Sequence, residues 1–401
     1  MTSAPLFCSF AILSDVLQIS KKKTGDGNVV RILRNLMNRS DSYSTSECIL
    51  LCFCGMAWYL QSLVVPGRAE PDTVLKESSS DKMWKGDHMN TAKKISIIGS
   101  GTMGSGIAVQ FALHGMNVSM NDIDAACFPK AKERIREALE LLSSQGVIRQ
   151  EEIAAAEDRI TFSTGIAETV TGTELVIESI VEDLEKKQEC FRQLDELCDP
   201  SVILASNTSV ISITEIGEKC RQRERIIGTH FWNPPFVLPL VEVVKTGWVS
   251  DETVERTCRI LREAGKKPVV VRKDVPGFLA NRLSIALMRE AFHIIQEGIA
   301  EPEDIDMAIN NSFGLRLSFT GPVGTSDYCG LDMTSAIQNY LYPSLSKAEE
   351  TKPWLLEKIS KQELGFKSGK GILEWSETEQ KEYKKELVEN VIRICKALNR
   401  F

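Results

Sequence analysis

The chain has 401 residues, 43% hydrophobic and 26% charged, with a formal net charge of −7. That is length enough for two domains with a substantial core, in the composition of an ordinary globular protein. The acidic balance excludes a general nucleic-acid binder, which needs a basic surface. The eleven cysteines form no C-x-x-C pair and the four histidines lie at no metal-ligand spacing, so reduced thiols and no structural metal are expected.

Residues 1–92 differ in kind from the rest and are expected to form a poorly structured N-terminal extension. They hold the run Lys21-Lys22-Lys23, serine-rich stretches and four cysteines. One apolar run, Cys48 to Val65, is interrupted by Gln61 and Ser62. At 18 residues it barely reaches membrane-spanning length. Membrane contact is expected only if that run serves as an anchor. Arg31, Arg34 and Arg39 hint at a mitochondrial transit peptide, but Asp15, Asp26 and Asp41 spoil the acid-poor composition such peptides have. Met89 makes a natural start for the domain beyond it, and a cytoplasmic protein is the expectation.

Lys94 to Leu113 is a short apolar strand running through Gly99, Gly101 and Gly104 into an apolar helix. In a dinucleotide site the first glycine permits the tight turn and the second admits a pyrophosphate. The third lets helix and strand pack closely. The helix start, with Thr102 and Met103, offers unpaired N–H groups to phosphate. A second strand, Asn117 to Asn121, ends at Asp122, 18 residues after Gly104. An acid there binds ribose hydroxyls and repels the extra phosphate of NADP, which specifies NAD. An ordinary glycine turn would show the same three glycines without needing the acid.

Helical spacing covers Ala125 to Gln145, with Gly146 as its stop. Strands are expected at Arg159 to Ser163, Glu174 to Ile180, Val202 to Ala205, Arg225 to His230, Pro239 to Val244 and Pro268 to Arg272, with a helix from Lys186 to Leu197. Alternation of this kind specifies an α/β fold, a Rossmann-type doubly wound parallel sheet over residues 93–275. At Pro276-Gly277 the character changes. Phe278 to Gln296 is one long helical pattern, Pro302 with Glu303 and Asp304 opens another helix, and little strand signal lies beyond. Residues 276–401 are expected to be an all-helical C-terminal domain. No internal repeat is visible.

Glu242 sits among Leu240, Val241, Val243 and Val244. An ionised carboxylate in such a strand needs a partner, and His230, ending the neighbouring strand, is the candidate. A histidine held by a buried acid has a fixed tautomer and a stabilised imidazolium, the requirements of a general base. Taken singly, His230 would pass for a core histidine and Glu242 for a structural ion pair.

These segments resemble the 3-hydroxyacyl-CoA dehydrogenase family over roughly residues 93 to 375. The likeness rests on Ile98-Gly-Ser-Gly-Thr-Met-Gly104, Val176-Ile-Glu-Ser-Ile-Val-Glu182, Ala205-Ser-Asn-Thr-Ser209, His230-Phe-Trp-Asn-Pro234, Leu240-Val-Glu-Val243, Pro276-Gly-Phe-Leu-Ala-Asn-Arg282 and Leu364-Gly-Phe-Lys-Ser-Gly-Lys-Gly371. The resemblance implies that His230 takes the 3-hydroxyl proton and that Glu242 orients it. Ser209 would bond the substrate oxygen, Asn233 would position substrate or nicotinamide, and Asn281 would polarise the reacting carbonyl. Glu178 and Lys367 match positions that contact NAD. Plainer roles stay open for three of these: a helix cap for Asn281, a solvated side chain for Lys367, a structural acid for Glu178. The resemblance also implies a homodimer, with residues 276–401 as the substrate and dimerisation domain.

Two departures from the family pattern bear on the substrate. The positions holding Ser and Lys against coenzyme A fall here on Ala138 and Gln145. The segment Asn311 to Pro322 is longer than the usual loop and, like Asn233-Pro-Pro, resembles the lambda-crystallin branch, whose members oxidise L-gulonate. The expectation is an NAD-dependent L-3-hydroxyacyl-CoA dehydrogenase acting on short chains such as 3-hydroxybutyryl-CoA. A coenzyme-A-free hydroxy acid is the second reading and a non-catalytic, crystallin-like NAD-binding protein the third.

Overall fold

The computed structural model describes residues 93–401. The expectations for an anchor, a transit peptide and an unstructured extension fall outside the described residues. The chain divides into two units, Met1–His88 and Met89–Phe401, and every described strand and helix belongs to the second. Among the described residues no helix is long and apolar enough to cross a membrane.

Eight strands form one sheet in the order β3-β2-β1-β4-β5-β6-β7-β8. They are β1 Lys94–Ile98, β2 Asn117–Asn121, β3 Ile160–Ser163, β4 Leu175–Glu178, β5 Ile203–Ser206, β6 Ile226–Phe231, β7 Leu240–Val244 and β8 Lys267–Val271. The central strands β4 and β5 are buried along their whole length, as strands covered on both faces by helices must be. Helix α1 (Thr102–Leu113) buries Gly104 to Ala112 without a break, so it is sandwiched rather than amphipathic. Helix α2 (Phe128–Ser144) turns Ala131, Ile135, Ala138, Leu139 and Leu142 inward. Its expected first residues, 125–127, instead form a 3-10 turn. Asp124 accepts the Ala126 N–H there, and Pro129 starts the α-helix proper.

Helices α3 (Glu151–Asp158), α4 (Ile166–Val170), α5 (Leu184–Leu197), α6 (Ile213–Ile216) and α7 (Asp251–Glu263) complete the covering. All neighbours in the sheet are parallel except β6 and β7, which are antiparallel. The reason is chain length. Only residues 232–239 join the two strands, and a parallel return needs a crossover of about a dozen residues or more. The expected all-parallel sheet is corrected at this one pairing, which sets His230 directly opposite Glu242.

Beyond residue 275 the chain is helical: α8 (Ala280–Gln296), α9 (Pro302–Asn310), α10 (Phe313–Leu317), α11 (Pro322–Cys329), α12 (Leu331–Leu341), α13 (Pro353–Ser360) and α14 (Glu377–Ala397). Of these, α8 and α10 to α13 bury no residue fully, and α9 buries Ile305 alone. Helix α14 runs back to the first domain, where Ile392 and Cys395 are buried and Val388 and Val391 pack against the sheet's core.

Candidate functional site

Strand β1 pairs with β2 on one side and β4 on the other. The sheet order reverses at this point, and open α/β sheets bind ligands in the crevice that results. Gly99 has φ +106°, and a Cβ there would lie 2.5 Å from the Ser179 carbonyl oxygen. A Cβ on Gly104 would lie 2.0 Å from the Gly99 carbonyl oxygen. Both glycines are therefore fixed by close backbone packing. Gly101 is the opposite case: a Cβ would meet nothing within 4 Å, because the space beside it is the cleft. The first turn of α1 has no side-chain cap and no acid, which leaves its N–H groups for an anion.

Asp122 lines the same cleft. Its Oδ2 accepts from the Ser100 N–H at 3.0 Å and the Ser100 hydroxyl at 2.6 Å. Burial pushes this carboxyl up, but the Ser100 bonds and the N–H groups of Asp124 and Ile123 outweigh it and hold it below its ordinary value. An ionised acid here, with open space over Gly101, fits NAD and disfavours a cofactor carrying an added ribose phosphate.

Glu178 does not reach the cleft. Its Oε1 accepts from Lys187 Nζ at 2.7 Å and the Ile180 N–H at 2.8 Å, and its Oε2 accepts from Ser206 Oγ at 2.6 Å. Fully buried, it braces β4 against α5 and β5, so the expected cofactor contact is corrected to a structural role. The acid facing the cleft is Glu182. Burial raises its pKa, but the Thr208 hydroxyl, Lys187 and the Ser209 N–H together bring it below the usual value. Thr208 donates to Glu182 at 2.5 Å and Ser209 N–H at 3.1 Å, so Glu182 shapes the loop that presents Ser209. The motif containing Glu182 is plain in the sequence. What sets it apart from Glu178 is its place beyond the strand end, beside the Asp183 N-cap of α5.

At the far end of the cleft His230 Nδ1 lies 2.8 Å from Glu242 Oε2. The carboxylate fixes the tautomer with the proton on Nδ1, leaving Nε2 as the basic nitrogen. Glu242 is fully buried and His230 nearly so, and His230 lines the cleft. Trp232 Nε1 donates to the same Oε2 at 3.3 Å, while Oε1 accepts the N–H groups of Leu279 and Ala280, each at 2.9 Å. Burial pushes Glu242 up, and the bonds from His230, Ala280, Leu279 and Trp232 reverse this and keep it below the ordinary carboxylate value. The imidazole packs between Trp232 and Phe278, at ring separations of 5.6 and 5.7 Å. Phe278 has φ +50° and follows Gly277 at φ +74°, the turn that brings the first amides of α8 to Glu242. Trp232, Phe278 and the two amides were not singled out in the sequence.

Ser209, Asn233 and Asn281 line the cleft with His230. Asn281 Nδ2 donates to the Ser209 carbonyl at 3.2 Å, joining the two domains across it. Lys367 is exposed, in the turn 365–371, and is not among the residues that line the cleft. Lys266 is a further buried group. Its Nζ donates to the carbonyls of Pro235 and of Leu238, the latter at 2.9 Å, tying down the turn that begins at Asn233. Burial brings its pKa down to about 7. The cleft measures 1340 Å³ and is lined by Gly99 and Gly101 of the glycine loop and by His230, with Glu242 buried behind the imidazole.

A doubly wound sheet with a dinucleotide cradle and an acid–imidazole pair on one cleft defines a nicotinamide-dependent dehydrogenase. Residues 94–275 match the family model of the 3-hydroxyacyl-CoA dehydrogenase NAD-binding domain, and residues 277–375 match that of its C-terminal domain. The chain belongs to the 3-hydroxyacyl-CoA dehydrogenase family and is an NAD-dependent oxidoreductase. It is 33% identical over 306 residues to 5-formyl-3-hydroxy-2-methylpyridine 4-carboxylate 5-dehydrogenase of Mesorhizobium japonicum, covering 76% of this chain and 98% of that one. It is 35% identical over 286 residues to a probable 3-hydroxybutyryl-CoA dehydrogenase of Bacillus subtilis, covering 71% and 98%. A crystal structure of the pyridine carboxylate enzyme, described as an NAD+-dependent dismutase, superposes with a TM-score of 0.72 at 32% identity, covering 77% of this chain and 99% of that one.

Proposed function

We propose that this enzyme oxidises the C3 hydroxyl of an L-3-hydroxyacyl compound to a ketone, with His230 as the general base. The observation that carries the reading is the His230–Glu242 pair, 2.8 Å apart, whose imidazole lines the cleft that also holds the dinucleotide cradle. NAD, when bound, accepts the hydride from C3. His230 Nε2 takes the hydroxyl proton, and Glu242 stabilises the imidazolium that forms. Ser209 and Asn233 hold the substrate oxygen, and Asn281 polarises it as the carbonyl develops. Relatives named for 3-hydroxybutyryl-CoA and for a pyridine carboxylate both support chemistry beside a carboxyl-derived group.

General-base catalysis contributes about 10²–10⁴-fold to rate. His230→Gln should therefore lower kcat by that order and leave NADH affinity, read from fluorescence titration, unchanged. Turnover near wild type would remove the assignment. The apolar surface that α8 to α12 leave uncovered, including Leu283, Ile285, Leu315, Phe319 and Tyr340, supports a homodimer formed through the helical domain.

A further inference from the structure

Resting on that dehydrogenase reading, we infer that Lys266 is a positioning residue for the reaction, acting on Asn233 through the turn 234–238. The other polar residues of the cleft are held by partners of their own. Glu242 sets His230, the Ser209 carbonyl takes the Asn281 amide, and Glu182 takes the Ser209 N–H. Asn233 lines the cleft and is exposed there, and among the described residues no hydrogen bond fixes its side chain. Its place is therefore set by the backbone that carries it, and that backbone leads straight into the turn.

The Pro234 carbonyl, next along the chain, accepts the N–H groups of Val237 and Leu238, each at 3.0 Å. This closes the turn on itself but leaves the carbonyls of Pro235 and Leu238 in need of donors. Lys266 Nζ serves both. An ammonium suits two diverging carbonyls because it offers three donors on one atom. The next residue adds a backbone tie, the Lys267 N–H donating to the Pro239 carbonyl at 2.8 Å.

Helix α1 registers both the turn and the lysine. Gly106, Gln110 and His114 are spaced by four and so share one face. A Cβ on Gly106 would lie 2.6 Å from the Pro235 ring. Gln110 Nε2 donates to the Ala264 carbonyl at 2.6 Å, and a Cβ on Gly265 would lie 2.3 Å from His114 Nε2. The helix whose start faces the dinucleotide thus seats the turn of Asn233 and the root of Lys266 together.

The charge supports the same role. Lys266 is buried, and among the described residues it has no carboxylate partner. A cation taken out of water without a counter-ion is costly, and here it serves the two carbonyls of one turn. Groups held at such cost cluster at functional sites.

The test is a double-mutant cycle on the full chain, with L-3-hydroxybutyryl-CoA and NAD as substrates. Lys266→Met leaves both carbonyls without a donor. It is expected to lower kcat/KM about tenfold in the wild type but less than about twofold in an Asn233→Ala background. Equal losses in the two backgrounds, or a loss of melting temperature alone, would overturn the inference and leave the dehydrogenase reading standing. Lys266→Gln, which keeps an amide donor for the turn, is run in parallel, should lose less, and completes the cycle if the methionine variant does not fold. Failure of both to fold makes the lysine a structural element only and also overturns the inference. Absence of turnover by the wild type is the separate outcome that sinks the dehydrogenase reading, and the inference with it.

Discussion

The Glu242 carboxylate accepts four hydrogen bonds, two on each oxygen, and this is how a charge survives inside an apolar strand. Its pKa in the folded chain lies below the ordinary carboxylate value of 4.5. A depressed carboxyl contributes stability that is present in full above its unfolded pKa and lost as pH falls through the folded one. Glu242→Gln should therefore flatten the loss of urea stability below about pH 4.5 and lower kcat by about 10²-fold or more, through a mis-set tautomer and an unsupported imidazolium. An acid-unfolding slope and a kcat equal to wild type would show that the pair does neither job. The pairing itself was legible, because a lone acid in an apolar run demands a partner and a histidine ends the next strand. Choosing Glu178 over Glu182 failed for a physical reason. Both acids stand in one apolar motif, but Lys187 and Ser206, which absorb Glu178, come from α5 and β5 and cannot be ranked from spacing.

At the scale of elements the glycine loop separates packing from binding. Gly104→Ala puts a methyl group against the Gly99 carbonyl and pushes α1 off β1, so both thermal stability and NADH affinity should fall. Gly101→Val adds a side chain to open space within the cleft, so melting should stay within about 0.5 kcal/mol of wild type while NADH binding weakens tenfold or more. Equal melting for the two variants would contradict the structure. The strands were readable because buried parallel strands give continuous apolar runs. The return of β7 was not read, since direction depends on the short connection 232–239 rather than on any residue type. Helix α7 was missed because Thr253 and Thr257 stand on its inward face, and Thr257 satisfies its hydroxyl on the Thr253 carbonyl at 2.7 Å. In α4 there is too little length for a period to show.

For the whole molecule the two domains differ in how well they are finished. The sheet domain has a closed core, completed by Ile392 of α14, while the helical domain leaves Leu283, Leu287, Met288 and Ile337 each more than 40% exposed. Covering such a face with a second copy is the proposed remedy. Sedimentation at micromolar concentration should give twice the chain mass, and Leu283→Glu with Leu287→Glu should halve it while NADH affinity persists. A monomeric wild type would end that proposal.

The amides of Leu279 and Ala280 give the cleft a further property. The acid that steadies the imidazole is also the bolt between the two domains, with its second oxygen fastened to the first turn of α8. The start of α8 is thus fastened to the sheet domain twice, by its amides on Glu242 and by Asn281 on the Ser209 carbonyl. Under the proposed mechanism, the contacts that orient the base and those that dock the helical domain are therefore one and the same set.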